Sequence, residues 1–386
     1  MSKGESKEYR TRLKEITSVL HKYGITRGIT PQKLRMILED LGPTYIKIGQ
    51  IMSLHSDILP KRYCDELMCL RSEVTPMEFP EVKEVIEQAY GCPWNEIFAF
   101  ISDTPLGSAS IAQVHRAELL SGEQVVIKVQ RTGIYEIMAR DIGLLRKAVK
   151  LMPPISLKGM ADFDQVLDEL WNVTREEMNF LTEASNMEEF ARRNADVVYV
   201  RTPKLYQEYT TMHVLVMEYI DGIPILATDR LRKAGYDLEE IGEKILDNYA
   251  SQILDHGFFH ADPHPGNLLV RSGKIVYIDL GIMGRLSPRD RAGFGNIIQA
   301  VGMESSSELK DALLSFAIAK DNSVIDHTRF LADLDLLLSD YGSCDVADID
   351  IGAFLNDILM LTRSCKVTLP SSITSVSRGI VTLEGT

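Results

Sequence analysis

The feature that most constrains this chain is a pair of polar motifs, HADPHPGN at residues 260–267 and YIDLG at residues 277–281. The segment that joins them has two short apolar runs on either side of a Ser-Gly pair at 272–273, which predicts a β-hairpin. We therefore expect Asn267 and Asp279 at the two open ends of this hairpin. Oxygen atoms of carboxylates and amides are the ligands of hard cations such as Mg²⁺. One metal ion could bridge these two residues.

The spacing of the acidic residues is typical of enzymes that transfer phosphoryl groups. In the catalytic loop of protein kinases an Asp is followed five residues later by an Asn, and a second, metal-binding Asp opens a short turn further on. Here these positions are Asp262, Asn267 and Asp279, and Leu280 and Gly281 complete the turn. The pattern predicts that Asp262 acts on the attacking group and that the other two residues hold magnesium.

Length and charge limit the classes of protein to consider. The chain has 386 residues, 45% of them hydrophobic, which is enough for two domains or one large bilobal domain. A net charge of -13 without a basic block argues against nucleic-acid binding, which needs clustered cations.

The five cysteines are odd in number and lack zinc-site spacing, which favours reduced thiols in the cytoplasm. A polar start and the lack of a long apolar run predict a soluble chain that can still rest on a membrane surface.

Apolar periodicity and turn formers divide the chain into predicted helices and strands. In order, they predict helices from 1 to about 100, a small sheet over 102–130, a helix over 132–151 that Pro153 and Pro154 end, an amphipathic helical stretch over 162–193, strands over 196–206 and 213–222, and helices over 286–386. Asp237, with Glu240 three residues later, resembles a capping pair for a helix that leads into the motif at 260–267.

A lysine in the predicted sheet could contact a nucleotide. Lys128 lies in VVIKV, which resembles the strand of kinases whose Lys pairs with the α and β phosphates. A carboxylate normally fixes such a Lys, and Glu177 and Glu183 are the candidates. On one continuous helix they would lie about 120° apart, so both cannot face Lys128. Taken alone, a Lys in an apolar strand is more often an edge residue, and either Glu is more often part of a solvated helix face.

A loop of small residues precedes the lysine strand. Its members are Gly107, Ser108, Ala109 and Ser110. Small residues let the backbone approach phosphates closely, although the GxGxxG pattern is absent and the alternative is a tight turn. We therefore expect this loop to cover the phosphates, with contacts to them that differ from those of a GxGxxG loop.

Taken together, these motifs resemble the UbiB family of atypical kinases, also called the AarF or ADCK family. The marks of that family are a KxGQ element at residues 47–50, the small-residue loop at 107–110, Lys128, EMNFLTEASN at 177–186, HADPHPGN at 260–267 and the Asp-Leu-Gly turn at 279–281. The likeness covers residues 30 to 386 approximately. It implies a bilobal α+β kinase-like fold with a helical N-terminal extension, divided into an extension (1–100), an N-lobe with a helical insertion (101–220) and a C-lobe (221–386).

The resemblance also implies roles for individual residues. Lys128 would pair with Glu183, and ATP and Mg²⁺ would bind between the lobes. The hinge that contacts the adenine would be Met217, Glu218 and Tyr219. The KxGQ helix would fold over the active site, with Lys47, Gln50 and Glu177 as the covering residues.

The biological setting implied by the resemblance is isoprenoid quinone biosynthesis. ATP turnover would be coupled to the handling of hydrophobic isoprenoid or phenolic lipid precursors at the inner face of the cell membrane, together with other quinone-biosynthesis proteins. Many relatives carry C-terminal membrane segments, and this chain ends at VTLEGT without one, which indicates a truncated chain or peripheral association.

Departures from the family and kinase patterns sharpen this expectation. Asn179 stands where the ExD element of the family has Asp, which leaves a metal or Lys47 contact in doubt, and Gly107 should loosen a loop that is usually richer in alanine. Ala261 replaces the Arg of the kinase loop, and no APE-like anchor follows Gly281. Hydrolysis of ATP or transfer to a small molecule is therefore expected rather than phosphorylation of a protein.

Two alternatives remain. The first is a zinc hydrolase built on His256, His260, Asp262 and His264, although intervening Gly and Pro residues keep them off one regular helix. The second is a catalytically weak, nucleotide-gated scaffold for a lipid-biosynthetic complex. Such a scaffold should lack a catalytic acid, and none of the expected residues is missing.

Overall fold

The computed structural model describes residues 3–24, 29–53, 60–70, 75–151, 163–320, 325–342 and 351–384. The chain divides into two compact units. The first unit comprises Met1–Ala184 and Lys204–Tyr219, and the second comprises Ser185–Pro203 and Ile220–Thr386. Pro153 and Pro154, which the sequence predicts as the end of a helix, lie outside the described residues.

Helices and strands are numbered along the chain. The helices are α1 (Lys3–Lys22), α2 (Pro31–Leu41), α3 (Pro43–Ser53), α4 (Lys61–Leu67), α5 (Phe79–Tyr90), α6 (Ile134–Leu151), α7 (Phe163–Glu177), α8 (Phe180–Arg193), α9 (Thr228–Lys233), α10 (Leu238–Ser251), α11 (Pro288–Gly302), α12 (Ser306–Phe316), α13 (His327–Gly342), α14 (Ile351–Ser364) and α15 (Ser371–Glu384). The strands are β1 (Phe98–Ile101), β2 (Gly107–Ser108), β3 (Ala112–Leu119), β4 (Gln124–Gln130), β5 (Val200–Arg201), β6 (Val214–Glu218), β7 (Ile223–Pro224), β8 (Phe258–His260), β9 (Leu268–Arg271), β10 (Lys274–Tyr277), β11 (Met283–Arg285), β12 (Ala319–Lys320) and β13 (Val367–Thr368).

An antiparallel sheet forms the centre of the first unit. Its strands lie in the order β1-β3-β4-β6, and β2 pairs with the start of β3. One face of this sheet is covered by α5, whose Val82 and Ile86 are fully buried against Phe98 and Ile127. The predicted sheet is therefore present, but it begins at Phe98, inside the segment that the sequence assigned to helix. Apolar residues at 98 and 101 face the core here, and their pattern is compatible with a helix as well as with a strand.

The N-terminal helices form a second apolar cluster in the first unit. Prolines mark two of their boundaries, because α3 begins at Pro43 and Pro60 directly precedes α4. Gly49 lies where α3 meets its neighbours, since a β-carbon there would lie 2.3 Å from Leu70 Cδ1 and 2.6 Å from Leu38 Cδ1. The Gly of the KxGQ element thus permits close packing of these helices.

The amphipathic stretch over 162–193 is two helices and not one. It breaks between α7 and α8, where the Asn179 side chain accepts a hydrogen bond from the Leu181 backbone N–H at 3.1 Å. Asn is among the preferred residues at a helix N-cap because its side chain satisfies an unpaired N–H of the first turn. The angle expected between Glu177 and Glu183 on one helix therefore does not apply, because each lies on a different helix.

In the part of the second unit that the structure describes, helices combine with three small sheets. The larger sheet has the order β5-β10-β9-β7, β8 pairs with β11, and β12 pairs with β13. The β9-β10 hairpin turns at Ser272 and Gly273, whose φ angles are 52° and 73°, so the predicted turn is confirmed. The strand predicted over 196–206 was too long, since only β5 forms, and β12 and β13 interrupt the predicted C-terminal helices.

Helix α10 leads into the polar motif at 260–267, as predicted. Its N-cap is Asp237, whose carboxylate accepts from the Glu239 backbone N–H at 2.9 Å. The helix continues into a π-turn over Gln252–His256, which ends at Gly257 with φ 59°. A π-turn inserts an extra residue into the helical repeat and so changes the direction of the side chains that follow. Among the described residues, no helix is both long and apolar enough to cross a lipid bilayer.

Candidate active site

In the first unit, Lys128 and Glu183 form an ion pair. Lys128 lies on β4, flanked in register by Val114 of β3 and Leu215 of β6. Its Nζ donates to Glu183 Oε1 at 3.1 Å and to Oε2 at 2.8 Å. The pair is shielded from water, since the side chains are 18% and 5% exposed, and the Phe180 ring centroid lies 5.6 Å from the ammonium. A strand lysine held in this way presents its ammonium at a fixed position, as phosphate binding requires.

The other candidate carboxylate, Glu177, pairs with a different lysine. Its Oε2 lies 2.6 Å from Lys47 Nζ on α3, and both side chains are largely buried. Glu177 Oε1 is buried without a hydrogen-bond partner. Gln50 lies one turn further along α3 and is half-buried. The two glutamates therefore serve different lysines, and the break between α7 and α8 permits this.

The small-residue loop forms the tip of the β2-β3 hairpin. The Ala109 N–H donates to the Ala112 carbonyl at 2.8 Å, which closes the turn that contains Ser110. Gly107 has no positive φ, and a β-carbon there would meet nothing within 4 Å. Its effect is therefore confined to backbone freedom, because the conformation itself does not require glycine.

Arg131 anchors this loop. The sequence alone did not indicate that role. Its guanidinium donates to the Ala109 carbonyl at 2.7 Å, to Ser108 Oγ at 2.6 Å and to the Thr75 carbonyl at 2.9 Å. All three acceptors are neutral, so the loop is anchored by a cation rather than by an ion pair. The only signal in the sequence was the position of Arg131 three residues after Lys128.

The predicted hinge lies at the end of β6. Met217 and Glu218 face Val126 and Val125 of β4 in register. The Glu218 N–H donates to the Lys204 carbonyl at 2.8 Å, and the Tyr219 N–H donates to the Gln124 carbonyl at 3.1 Å. These two N–H groups are therefore used within the first unit.

In the second unit, one buried imidazole joins the two candidate acids. The Asp262 backbone N–H lies 3.1 Å from His260 Nδ1, and His260 Nε2 lies 2.7 Å from the Asp279 carbonyl. Because an N–H only donates and a carbonyl only accepts, the ring carries its proton on Nε2 and accepts at Nδ1. Burial lowers the pKa of His260, which favours this neutral form. His260 is thus a structural histidine, and it contacts the backbone of both acids.

Asn267 and Asp279 are brought together by the hairpin. The Ile278 N–H donates to the Asn267 carbonyl at 3.0 Å, which extends the β9-β10 ladder by one bond. Asp279 Oδ1 accepts from the Gly281 N–H at 3.0 Å, and this Asx-turn orients the carboxylate. Asn267 Nδ2 faces the Asp262 carbonyl at 3.4 Å. The open ends of the hairpin therefore carry the two candidate metal ligands, as the sequence predicts.

This donor set fits a magnesium ion that shares its ligands with a nucleotide. Magnesium in phosphoryl-transfer sites is bound by one or two carboxylates together with phosphate oxygens rather than by an all-protein cage. Asp279 supplies a carboxylate and Asn267 an amide oxygen. Within the described ranges, no group of three or more His, Cys, Asp or Glu residues is arranged to hold a metal by itself.

The zinc alternative is therefore not formed. Both nitrogens of His260 are occupied by backbone groups, so its ring cannot ligate a metal. His264 Nδ1 accepts from the Gly266 N–H at 3.1 Å, and His256 lies in the π-turn. The alternative set of three histidines and Asp262 therefore does not form a metal site.

A neutral hydrogen-bond network behind His260 was also missed by sequence reasoning. Gln252 Oε1 accepts from the His260 N–H at 3.0 Å, and its Nε2 donates to Asn248 Oδ1 at 2.7 Å. Asn248 Nδ2 in turn donates to Asn194 Oδ1 at 2.7 Å. All of these side chains are buried. The signal that the sequence offered for this network was the pair Asn248 and Gln252, two amides four residues apart beside the apolar face of α10.

The segment after the Asp-Leu-Gly turn is short and fixed. Its strand β11 pairs with β8, and Arg285 contacts Glu189 of α8 at 2.6 Å. The hydrogen bond from Arg285 lowers the pKa of Glu189, which keeps the pair ionised. Helix α11 begins at Pro288, with Ser287 as its N-cap. Little chain is left between the turn and α11 for an activation loop, in agreement with the missing APE-like anchor.

Comparison with known proteins identifies the family. A family model described as the ABC1 atypical kinase-like domain matches residues 69–312. A Clostridium pasteurianum protein described as "Uncharacterized protein in hydrogenase 1 5'region" is 35% identical over 97% of this chain and 72% of its own length. The Arabidopsis thaliana "Protein ACTIVITY OF BC1 COMPLEX KINASE 8, chloroplastic" is 36% identical over 76% of this chain, which covers 39% of that protein.

A solved structure supports the fold. The Mycobacterium tuberculosis protein Rv3197, in its complex with erythromycin, matches 96% of this chain and 95% of its own with a TM-score of 0.58 and 22% identity. At that identity the likeness concerns the fold alone. The predicted α+β kinase-like fold is thereby confirmed. From its family match and its relatives, this chain belongs to the UbiB family of atypical kinase-like proteins, also named ABC1 or AarF.

Proposed function

We propose that this chain binds ATP with magnesium and transfers the γ-phosphoryl group to water or to a small hydroxylated molecule. The observation that carries the proposal is the bridge through His260, because one buried neutral ring positions the backbone of Asp262 and Asp279 together. A purely structural loop would not need two acids fixed in this way. Membership of an atypical kinase-like family supports the same chemistry.

Each residue of the proposal has a chemical role. Lys128 would donate to phosphate oxygens, and Glu183 would hold its ammonium in place. Asp262 would accept the proton of the attacking hydroxyl as the new P–O bond forms and the bond to ADP breaks. Asn267 and Asp279 would hold magnesium, which when bound neutralises charge on the phosphates.

The remaining assignments concern binding of the nucleotide and access to it. The loop of residues 107–110, anchored by Arg131, would cover the phosphates, and Met217–Tyr219 would contact the adenine. Lys47, Gln50 and Glu177 would limit the access of a protein substrate. The short segment between the Asp-Leu-Gly turn and α11 supports an acceptor smaller than a protein.

For the biological setting we propose isoprenoid quinone biosynthesis at a membrane surface, with the chain bound peripherally on the cytoplasmic side. The acceptor, or the lipid whose handling is coupled to ATP hydrolysis, would be a hydrophobic isoprenoid or phenolic precursor. Other proteins of quinone biosynthesis would be partners. This setting follows from the resemblance to the family rather than from a contact in the structure.

The test is phosphate release from magnesium ATP by the purified chain, with and without anionic liposomes that carry a phenolic quinone-precursor mimic. We expect turnover that rises with the liposomes and is lost in Asp279→Asn. This substitution keeps the size of the side chain and removes the carboxylate charge that a magnesium ion requires. Equal release by the wild type and the variant would contradict the proposal.

Nucleotide binding should be measured on the same samples by calorimetry. Binding of magnesium ATP without any turnover would replace the enzymatic proposal with the nucleotide-gated scaffold. Absence of both binding and turnover would reject both proposals.

A further inference from the structure

The carbonyl of His260 is held by a tyrosine that has no part in the roles proposed above. Tyr249 lies on α10, is buried, and donates its hydroxyl hydrogen to the His260 carbonyl at 2.9 Å. With Gln252 on the backbone N–H and the ring bound at both nitrogens, each polar atom of His260 has a partner. The position of the ring is therefore determined by its backbone as well as by the two acids it joins.

The C-terminal helix packs directly against this hydroxyl. At Gly379 of α15, an added β-carbon would lie 1.7 Å from the Tyr249 hydroxyl oxygen and 3.2 Å from the His260 carbonyl oxygen. The neighbouring atom belongs to a rigid, buried ring, so the overlap cannot be relieved by rotation of a flexible chain end. Glycine within a helix is destabilising relative to alanine. Gly379 therefore provides space for the tyrosine at some cost to the helix itself.

We propose that Tyr249 and Gly379 are positioning residues for phosphoryl transfer, through which α15 sets the geometry of the loop that carries Asp262. Successive contacts link these groups. Helix α15 packs against the Tyr249 hydroxyl, the hydroxyl donates to the His260 carbonyl, and the His260 imidazole contacts the backbone of Asp262 and Asp279. This inference rests on the proposed function for its effect on turnover. The geometric part, that the hydroxyl and the glycine fix the loop, can be tested without turnover.

The test compares three variants of the full chain with two matched controls. Tyr249→Phe removes only the hydroxyl, Gly379→Ala displaces it, and the double variant removes the atom with which the new methyl group collides. Tyr341→Phe removes a hydroxyl that contacts Asp357, and neither residue has a part in the roles proposed above. Gly295→Ala adds a methyl group in α11, where nothing lies within 4 Å.

The first readout is steady-state turnover of magnesium ATP. Loss of one buried hydrogen bond should lower kcat about tenfold in Tyr249→Phe, with a smaller change in KM, because the hydroxyl is not among the groups proposed to bind the nucleotide. Gly379→Ala should also lower kcat. In the Tyr249→Phe background the same glycine substitution should cost less, since the two changes act on one contact. Both controls should retain wild-type kcat.

The second readout is hydrogen exchange of the peptide that contains residues 258–262, measured without nucleotide. We expect faster exchange in Tyr249→Phe and Gly379→Ala and wild-type exchange in the controls. If the wild type hydrolyses no ATP, the proposed function fails, and this readout alone decides the positioning role. Wild-type exchange in Tyr249→Phe, or fully additive effects in the double variant, would overturn the inference. Tyr249→Phe keeps the inference testable if Gly379→Ala does not fold.

Discussion

Lys128 in the first unit and His260 in the second are both polar groups largely shielded from water, but they are held by different forces. The lysine ammonium forms an ion pair with the Glu183 carboxylate. The histidine is neutral and is held by backbone groups, an amide and a hydroxyl. The comparison shows that the first unit fixes a polar side chain by an ion pair, whereas the second unit fixes one by neutral hydrogen bonds.

The largest effect should follow when the charged pair is broken. Lys128→Met leaves the Glu183 carboxylate buried without its cation, which should lower the stability of the first unit by about 3 kcal/mol. The double variant with Glu183→Leu should recover most of that loss, because removal of both charges also removes the desolvation cost. Hydrogen exchange of the β4 amides measures this opening free energy.

A surface pair provides the control for this prediction. Lys244 and Glu240 are separated by 2.6 Å, and the Glu240 side chain is 60% exposed. Lys244→Ala should change stability by less than about 0.5 kcal/mol. If Lys128→Met were as mild as this control, the ion pair would not be the force that holds Lys128.

The neutral network should be the next most sensitive region. Gln252→Leu removes the acceptor of the His260 N–H and the donor to Asn248, and each buried group left unpaired costs about 1–3 kcal/mol. We expect a net loss of about 2 kcal/mol, since leucine restores apolar packing. Gln252→Glu keeps an acceptor for the His260 N–H, but at neutral pH it buries a carboxylate without a cation and replaces the donor to Asn248 with a second acceptor, so it should cost at least as much as leucine. Denaturant unfolding at pH 7 followed by a probe in the second unit would check this, and a Gln252→Glu variant as stable as the wild type would contradict the neutral character of the network.

The sequence predicts the charged half of this comparison better than the neutral half. Lys128, Asp262 and Asp279 are predicted from the sequence because phosphoryl transfer requires those groups at characteristic spacings. The partner of Lys128 could not be chosen from periodicity, because Asn179 reads as a helix interior and in fact caps α8. The role of Gln252 depends on which backbone groups lie beside it after folding, and its local pattern is that of an ordinary helical amide.

A pH change should affect the first unit through a second buried histidine. His115 Nδ1 contacts the Ser102 carbonyl at 2.7 Å, and its Nε2 contacts the Gln113 side-chain nitrogen at 2.7 Å, so the ring is neutral with its proton on Nδ1. Burial lowers the pKa of His115 from its ordinary value of 6.5. Below pH 6.5 the unfolded chain therefore binds a proton that the folded chain does not, and stability falls as the pH falls.

The expected loss is about 1 kcal/mol between pH 6.5 and 5.5, within the limit of about 1.4 kcal/mol per pH unit for one proton. Exchange of the β3 amides at these two pH values measures it. His115→Gln should remove the dependence while keeping a polar side chain in the sheet. A dependence that survives this substitution would assign it to another group.

The smallest effect is expected where a charge is added at residue 179, at the start of the helix that carries Glu183. Asn179→Asp restores the residue that the ExD element normally has, and both Asn and Asp are good N-caps. A negative charge at the start of α8 is also favoured by the helix dipole, while Glu177 and Glu183 oppose it. We therefore expect a change of less than about 0.5 kcal/mol in the unfolding free energy, against a loss of about 1 kcal/mol for Asn179→Ala. Thermal unfolding of the three proteins side by side would check this order. A cost for Asn179→Asp as large as that for alanine would show that carboxylate repulsion, and not the cap, governs this position.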